Sequence, residues 1–230
     1  MSAREIRKAE LAANLNQVRA EIAQVAHTCG RTPEEITLVV VTKTFPVEDI
    51  ELLYELGERN FGENRDQEGS VKAPVLPDDV VWHFQGQIQS NKLKSIASWA
   101  NVIHSLDEIR HIETLDRVAT HRIGVFLQVS LDGAEGRGGA LPSSLSALAD
   151  AVLQSTHLDL MGLMAVAPLN VSSDHAFEKL AEIHGGFRAS YPMATFLSAG
   201  MSNDFASAIT HGATHIRVGS SILGSRPSPQ

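Results

Sequence analysis

Lys43 closes a run of apolar and β-branched residues, Ile36-Thr37-Leu38-Val39-Val40-Val41-Thr42-Lys43, where a lysine is unusual. A strand apolar on both faces suits a parallel sheet covered by helices. In such sheets and barrels, ligands gather at the carboxyl ends of the strands. An amine held there and partly desolvated favours its neutral form, a nucleophile able to condense with an aldehyde. The plain alternative is a lysine whose stem covers the sheet rim while its ammonium stays in water.

Near the C-terminus, Leu197-Ser198-Ala199-Gly200-Met201-Ser202-Asn203-Asp204 runs from a strand into a helix, with Ser202 as its expected N-cap. Free N–H groups at a helix start attract an anion. Ile216-Arg217-Val218-Gly219-Ser220-Ser221 is a strand followed by a small-residue turn whose amides offer a second cradle. Alone, Ser202 is an ordinary cap and Gly219 an ordinary turn; together, after the last two strands, they point to a phosphate. Arg217 alternates with Ile216 and Val218, so its guanidinium points away from the helix layer and into the interior. An interior arginine paired with a carboxylate is the competing reading. An amine for an aldehyde, a cradle for a phosphate and a cation between them describe pyridoxal 5′-phosphate (PLP). Its protein signature is a lysine Schiff base with a partner at the ring nitrogen.

The elements that must position these groups follow from periodicity. Ser2 and Glu5 have capping-box spacing, and Leu11, Leu15, Val18, Ile22 and Val25 recur at helical intervals, predicting an amphipathic helix from about residue 3 to residue 28. The stripe suits packing on its own domain better than a coiled-coil seam. After the Lys43 strand, strand-like segments fall near Asn60–Phe61, Val80–Phe84, Asn101–His104, Arg122–Ser130, Leu158–Met164, Thr195–Leu197 and His215–Val218. Between them lie helical patterns at Pro46–Leu56, Glu63–Lys72, Ser90–Trp99, Asp107–Thr120, Pro142–Gln154, Ser173–Ser190 and Ser202–His211. Eight strands with seven intervening helices predict a single TIM (β/α)8-type barrel over residues 1–230, with an extra N-terminal helix. An open doubly wound sheet is the alternative. The tail from Ser225 follows the last strand's loop, so no second domain is expected.

Net charge is −8, and the densest basic group, Lys92 with Lys94, is too small to follow a nucleic-acid backbone. Hydrophobic residues make up 43% and charged residues 20%, an ordinary globular balance. The single cysteine, Cys29, fits a reducing compartment, and the charged N-terminus lacks a signal core. No apolar stretch approaches a membrane span. A cytoplasmic protein without nucleic-acid or membrane partners is expected. His211 and His215 are four apart, but Gly212 separates them and no carboxylate completes a zinc pattern. The glycines at 133, 136, 138 and 139 spell no dinucleotide fingerprint, and Glu135 and Arg137 among them suggest a flap or a loop.

The chain resembles the pyridoxal phosphate homeostasis protein family over nearly its whole length. The resemblance is carried by Val41-Thr-Lys43-Thr, Asn60-Phe-Gly-Glu-Asn64, Trp82-His-Phe-Gln-Gly86 with Gln89-Ser-Asn-Lys92, Gly162-Leu-Met164, Leu197-Ser-Ala-Gly-Met-Ser202-Asn-Asp204 and Ile216-Arg-Val-Gly-Ser220. That family is similar in fold to the barrel of alanine racemase, of the fold-type III PLP proteins. The resemblance implies PLP bound covalently as a Schiff base on Lys43, and Arg217 at the pyridine nitrogen. It implies Ser202, Gly219 and Ser220 on the phosphate, and Asn64 and His83 near the cofactor at the ends of strands two and three. PLP-dependent apo-enzymes are the implied partners, and a monomer or weak dimer the expected state. Arg65, Asp66, Gln85, Gln87, Ile88 and Ala199 depart from the family's usual residues. None of them coincides with Lys43, Arg217 or the phosphate positions.

Two functions compete: a PLP carrier serving intracellular vitamin B6 homeostasis, and a fold-type III enzyme such as an amino-acid racemase or decarboxylase. Enzymes resembling alanine racemase bring a second acid/base, often Tyr or Cys, from a C-terminal β domain. Here Tyr54 and Tyr191 fall in expected helices and Cys29 ends the first helix. An arginine at the ring nitrogen keeps that nitrogen unprotonated and weakens the electron sink. A Schiff-base aldolase lacks its lysine at Gly162-Leu-Met164. The sequence favours the non-catalytic carrier.

Overall fold

The computed structural model describes residues 1–134 and 138–225; Glu135 and Arg137 lie outside the described residues, as does the tail from residue 226. Helix α1, Ala3–Thr28, starts at a complete capping box. Glu5 donates its N–H to Ser2 Oγ at 3.2 Å, and Ser2 donates its own to Glu5 Oε2 at 2.6 Å. Leu11, Leu15, Val18 and Ile22 are buried as the stripe demands, with Ala26 rather than Val25 completing it.

Strands β1 (Thr37–Val41), β2 (Asn60–Glu63), β3 (Val81–Phe84), β4 (Val102–Leu106), β5 (Ile123–Gln128), β6 (Leu158–Met164), β7 (Phe196–Ser198) and β8 (His215–Val218) close into an all-parallel barrel in sequence order. β8 returns to β1 with Thr37 opposite His215 and Val40 opposite Val218. The helices between them are α2 (Val47–Glu55), α3 (Asp66–Lys72), α4 (Leu93–Trp99), α5 (Ile109–Val118), α6 (Leu145–Leu153), α7 (Ser173–Ser190) and α8 (Phe205–Thr210), with a short α9 (Ser220–Leu223) after β8.

Because α9 is only a single turn, the helix layer needs an eighth member, and α1 supplies it by packing against α2, α8 and α9. Arg7 fixes this docking. It donates Nε to Asp49 Oδ1 at 2.9 Å and Nη2 to Asp49 Oδ2 at 2.8 Å, and Nη2 also reaches the Leu223 carbonyl. The apolar core lies between strands and helices. The barrel interior is mixed, with Val102, Phe126 and Met164 as its buried apolar group. No helix among the described residues is long and apolar enough to cross a membrane.

Three of the boundaries that differ from expectation bear on the site. β1 ends at Val41, so Lys43 stands in the following turn and not on the strand. Glu63 belongs to β2 and α3 starts only at Asp66. Ser202 is not an N-cap, because α8 starts at Phe205 behind Asp204. Gly200 explains the last shift: its φ of +92° turns the chain sharply, and a Cβ there would lie 2.7 Å from Ala208 Cβ. The chain completes that turn before it can enter the helix.

Candidate functional site

The C-terminal ends of the strands surround a cavity of about 490 Å³, lined among others by Lys43, Asn64, Ser202, Arg217, Gly219 and Ser220. Six of the seven expected site residues therefore converge. The seventh, His83, is 1% exposed and lies in the barrel interior, outside that lining.

Lys43 is half-buried, and both of its neighbours are clamped. The Lys72 ammonium donates to the Thr42 carbonyl at 3.0 Å, to Glu63 Oε1 at 2.7 Å and to Glu68 Oε2 at 3.1 Å. Thr42 donates its hydroxyl to the same Glu63 oxygen at 2.7 Å, and the Thr44 amide donates to Glu68 Oε2 at 2.6 Å. Thr44 has φ +70°, unfavourable for a β-branched residue and held here by these contacts. Residues 42 and 44 are thus tied to β2 and α3 on either side of the lysine whose side chain meets the cavity. Glu63 is fully buried and its Oε2 has no hydrogen-bond partner among the described residues; burial raises its pKa while Lys72 opposes the rise. Sequence reasoning missed this group, since Glu63 and Lys72 read there as the two ends of one helical pattern.

Across the cavity the amides of Gly219 and Ser221 both donate to Ser202 Oγ, at 3.2 and 3.4 Å. Two backbone donors therefore already converge on one oxygen, which is the geometry an anion's oxygen requires. Ser202 contributes through its hydroxyl in this turn and not through a helix start. The residues present fit a phosphate.

Arg217 is 5% exposed. It donates Nη1 to Ser198 Oγ at 2.5 Å and Nη2 to the Ala165 carbonyl at 3.1 Å. Both partners are neutral, and among the described residues no carboxylate pairs with it. Burial pushes its pKa down to about 10, with the Asp204 charge acting the other way. It remains a cation at neutral pH, facing the same cavity as Lys43.

Asn64 owes its place to Gly86, where a Cβ would sit 1.8 Å from the Asn64 carbonyl oxygen. Gln85, one of the departures from the family pattern, lines the cavity and donates to Asn64 Oδ1 at 3.3 Å. Arg65 and Gln87 line an adjoining cavity of about 410 Å³ that shares Asn64, while Ala199 is buried beyond the end of β7. Lys43, Asp204 and Arg217 are the titratable residues among the described lining. Tyr54 donates to Asp79, and Tyr191 to Asp150 and the Ser146 carbonyl. His211 pairs with Asp174 at 2.9 Å, whereas His215 is buried inside the barrel.

The alanine racemase N-terminal domain family matches residues 13–227. The pyridoxal phosphate homeostasis protein of Mycobacterium tuberculosis H37Rv is 41% identical, covering 98% of this chain and 96% of that protein. Its namesake from Escherichia coli K12 is 35% identical over 94% and 97%. Among solved structures, PipY of Synechococcus elongatus PCC7942 with PLP bound superposes with a TM-score of 0.81 at 32% identity, covering 93% of this chain and all (100%) of that one. Alanine racemase from Corynebacterium glutamicum shares the fold, with a TM-score of 0.72 at 13% identity, and this chain spans 61% of its length.

Proposed function

This chain belongs to the alanine racemase N-terminal domain family, and within it to the pyridoxal phosphate homeostasis proteins, and from that premise we propose that it is an intracellular PLP carrier holding the cofactor covalently through Lys43. The observation that carries this reading is the convergence of Lys43, Arg217, Ser202, Gly219 and Ser220 on one cavity, with the Gly219 and Ser221 amides meeting at Ser202 Oγ. When bound, PLP supplies a reactive aldehyde and an electron-accepting ring. Lys43 presents its amine to that aldehyde, and the turn clamped by Lys72, Glu63 and Glu68 fixes where the amine stands. Ser202, Gly219 and Ser220 hold the phosphate, and Asn64 borders the ring. His83 acts from the layer beneath the cavity.

Arg217 faces the ring nitrogen, and as a permanent donor it withholds the proton that would strengthen the electron sink. Racemisation also needs an acid and a base on opposite faces, each typically contributing about 10²–10⁴-fold. Tyr54 and Tyr191, the phenols that would serve, are engaged on the outer helix layer. The protein therefore stores and delivers PLP, with PLP-dependent apo-enzymes as recipients, rather than turning over amino acids. We place it in the cytoplasm as one barrel domain, a monomer or weak dimer.

The test is the visible spectrum of purified protein loaded with PLP, with and without borohydride, followed by mapping of the modified lysine. Reduction should label Lys43, and Lys43→Ala should lose the reducible absorbance while keeping its circular dichroism. A reducible adduct surviving in Lys43→Ala sinks the assignment. Pyridoxal lacking the phosphate should bind roughly a hundredfold more weakly, the equivalent of two charge-assisted hydrogen bonds at about 1.5 kcal/mol each.

A further inference from the structure

Beneath the cavity floor the barrel holds a line of polar side chains from four different strands, three of them buried and the last, Asn60, half-buried. Ser198 Oγ, on β7, lies 2.5 Å from Arg217 Nη1 and 2.8 Å from Nδ1 of His104 on β4. His104 Nε2 lies 2.9 Å from Nδ1 of His83 on β3, and His83 Nε2 lies 3.0 Å from Oδ1 of Asn60 at the start of β2. Ser198 and His104 are 0% exposed and His83 is 1% exposed. His104 is further fixed by stacking on Phe126, ring centroids 4.6 Å apart at 25°.

The chemistry of the ends determines every proton between them. Asn60 Oδ1 only accepts, so His83 carries its hydrogen on Nε2. Burial pushes the His83 pKa down to about 3 and the His104 pKa well below its usual value, so both rings are neutral. A neutral His83 with hydrogen on Nε2 must accept at Nδ1, which requires His104 to donate from Nε2. His104 then accepts at Nδ1, and the hydrogen there comes from the Ser198 hydroxyl. The Ser198 oxygen, its own hydrogen committed, accepts from Arg217. With the Asn60 oxygen at that end and both rings neutral, each later step has one solution.

We infer that Asn60, His83, His104 and Ser198 form a one-way hydrogen-bond chain that positions Arg217 and points the negative ends of four aligned dipoles at its guanidinium. Such chains polarise one another in a low-dielectric interior. This accounts for a buried arginine held by neutral acceptors where a carboxylate would ordinarily be expected. Among the described residues no carboxylate bonds to Arg217, so no ion pair holds its guanidinium, and it faces the cavity with Asp204 as the acidic residue in the same lining. The four residues are positioning residues, and their effect on PLP rests on the cofactor reading above, whereas the chain itself does not.

Long-range ¹H–¹⁵N correlation on the ligand-free protein at pH 7, with ¹⁵N-labelled histidine, reads the tautomers directly. Both His83 and His104 should appear as neutral rings with hydrogen on Nε2. An imidazolium or an Nδ1–H form at either position overturns the chain. His104→Phe keeps the ring stack on Phe126 but removes two links. Provided its melting temperature stays within a few degrees of wild type, it should weaken PLP about tenfold and shift the absorbance maximum of the bound cofactor. Unchanged affinity and spectrum in that folded variant overturn the positioning role. If His104→Phe does not fold, Asn60→Asp serves instead. A carboxylate at that end favours a protonated His83, whose Nδ1 hydrogen would oppose the one on His104 Nε2. A shifted PLP spectrum in Asn60→Asp supports transmission along the chain, and an unchanged one overturns it. Should the wild type fail to bind PLP while the tautomers are as expected, the cofactor reading falls and the chain stands.

Discussion

At the scale of single residues, the turn that carries Lys43 is held by ions that do not line the cavity. Lys72 is 7% exposed and Glu63 is 0% exposed, so each is tolerable only through the other. Lys72→Met leaves the Glu63 carboxylate buried without its cation and releases the Thr42 carbonyl. Loss of one partner from such a pair costs about 3–5 kcal/mol, so urea denaturation should show a fall of that order. The double variant Lys72→Met/Glu63→Gln should recover much of it, because no buried charge is then uncompensated. A single variant as stable as wild type would mean that the pair holds nothing. Lys43 was legible in the sequence as a lysine ending an apolar strand. Lys72 was not, since beyond Glu68 on its own helix its partners come from β2 and from the turn after β1.

Among elements, α1 has an unusual part. It precedes β1 in sequence yet stands where the helix after β8 would stand in the layer, between α8 and α2. Its two-pronged contact from Arg7 to Asp49 holds it on α2, while Arg7 Nη2 donating to the Leu223 carbonyl and Asn14 Nδ2 donating to the Ile222 carbonyl, each at 2.9 Å, tie the first element to the last. The cradle amides of Gly219 and Ser221 lie on the segment so tied. Arg7→Ala should cost about 1.5–3 kcal/mol, the range for hydrogen bonds to charged groups, measured as a shift in the urea midpoint. Arg7→Lys should recover only part of it, because an ammonium cannot reproduce the planar fork. Equal stability of all three proteins would show that the apolar stripe alone docks α1. The helix itself was readable from its capping box and stripe, but its place in the layer was not.

Across the whole molecule, three histidines are held neutral inside the barrel. Burial pushes His83 to about 3 and His215 to about 4, and holds His104 well below its usual value. Unfolded, each takes up a proton near pH 6.5. Between that value and the depressed ones the unfolded chain binds more protons, so stability is full above about pH 6.5 and falls as pH drops toward the folded values. Glu58 and Glu63, raised by burial, act in the opposite sense, gaining stability on acidification. The histidine contribution is therefore read by difference. His215→Gln should flatten the dependence of unfolding free energy on pH between 7 and 5 by up to about 1.4 kcal/mol per pH unit. An identical slope in wild type and variant would contradict the neutral state of His215.

Strand and helix order and barrel closure were determined by the sequence alone, which also placed Lys43, Arg217 and the small-residue turn after β8 at the carboxyl ends of the strands. Each rests on local signals: an apolar run, a 3.6-residue stripe, a charged residue at a strand end, an alternation that turns Arg217 inward. Tertiary structure decided the rest. Val102-Ile103-His104-Ser105-Leu106 reads as an unremarkable strand, and nothing within it announces that His104 meets Ser198, 94 residues away, across a closed barrel. Ser202 was expected at a helix start, but Gly200 forces a turn that leaves its hydroxyl, not a helix end, facing the Gly219 and Ser221 amides. Periodicity encodes which face of an element is buried. Which interior side chains then become neighbours depends on how strands from distant parts of the chain come into register when the barrel closes, and no local pattern carries that information.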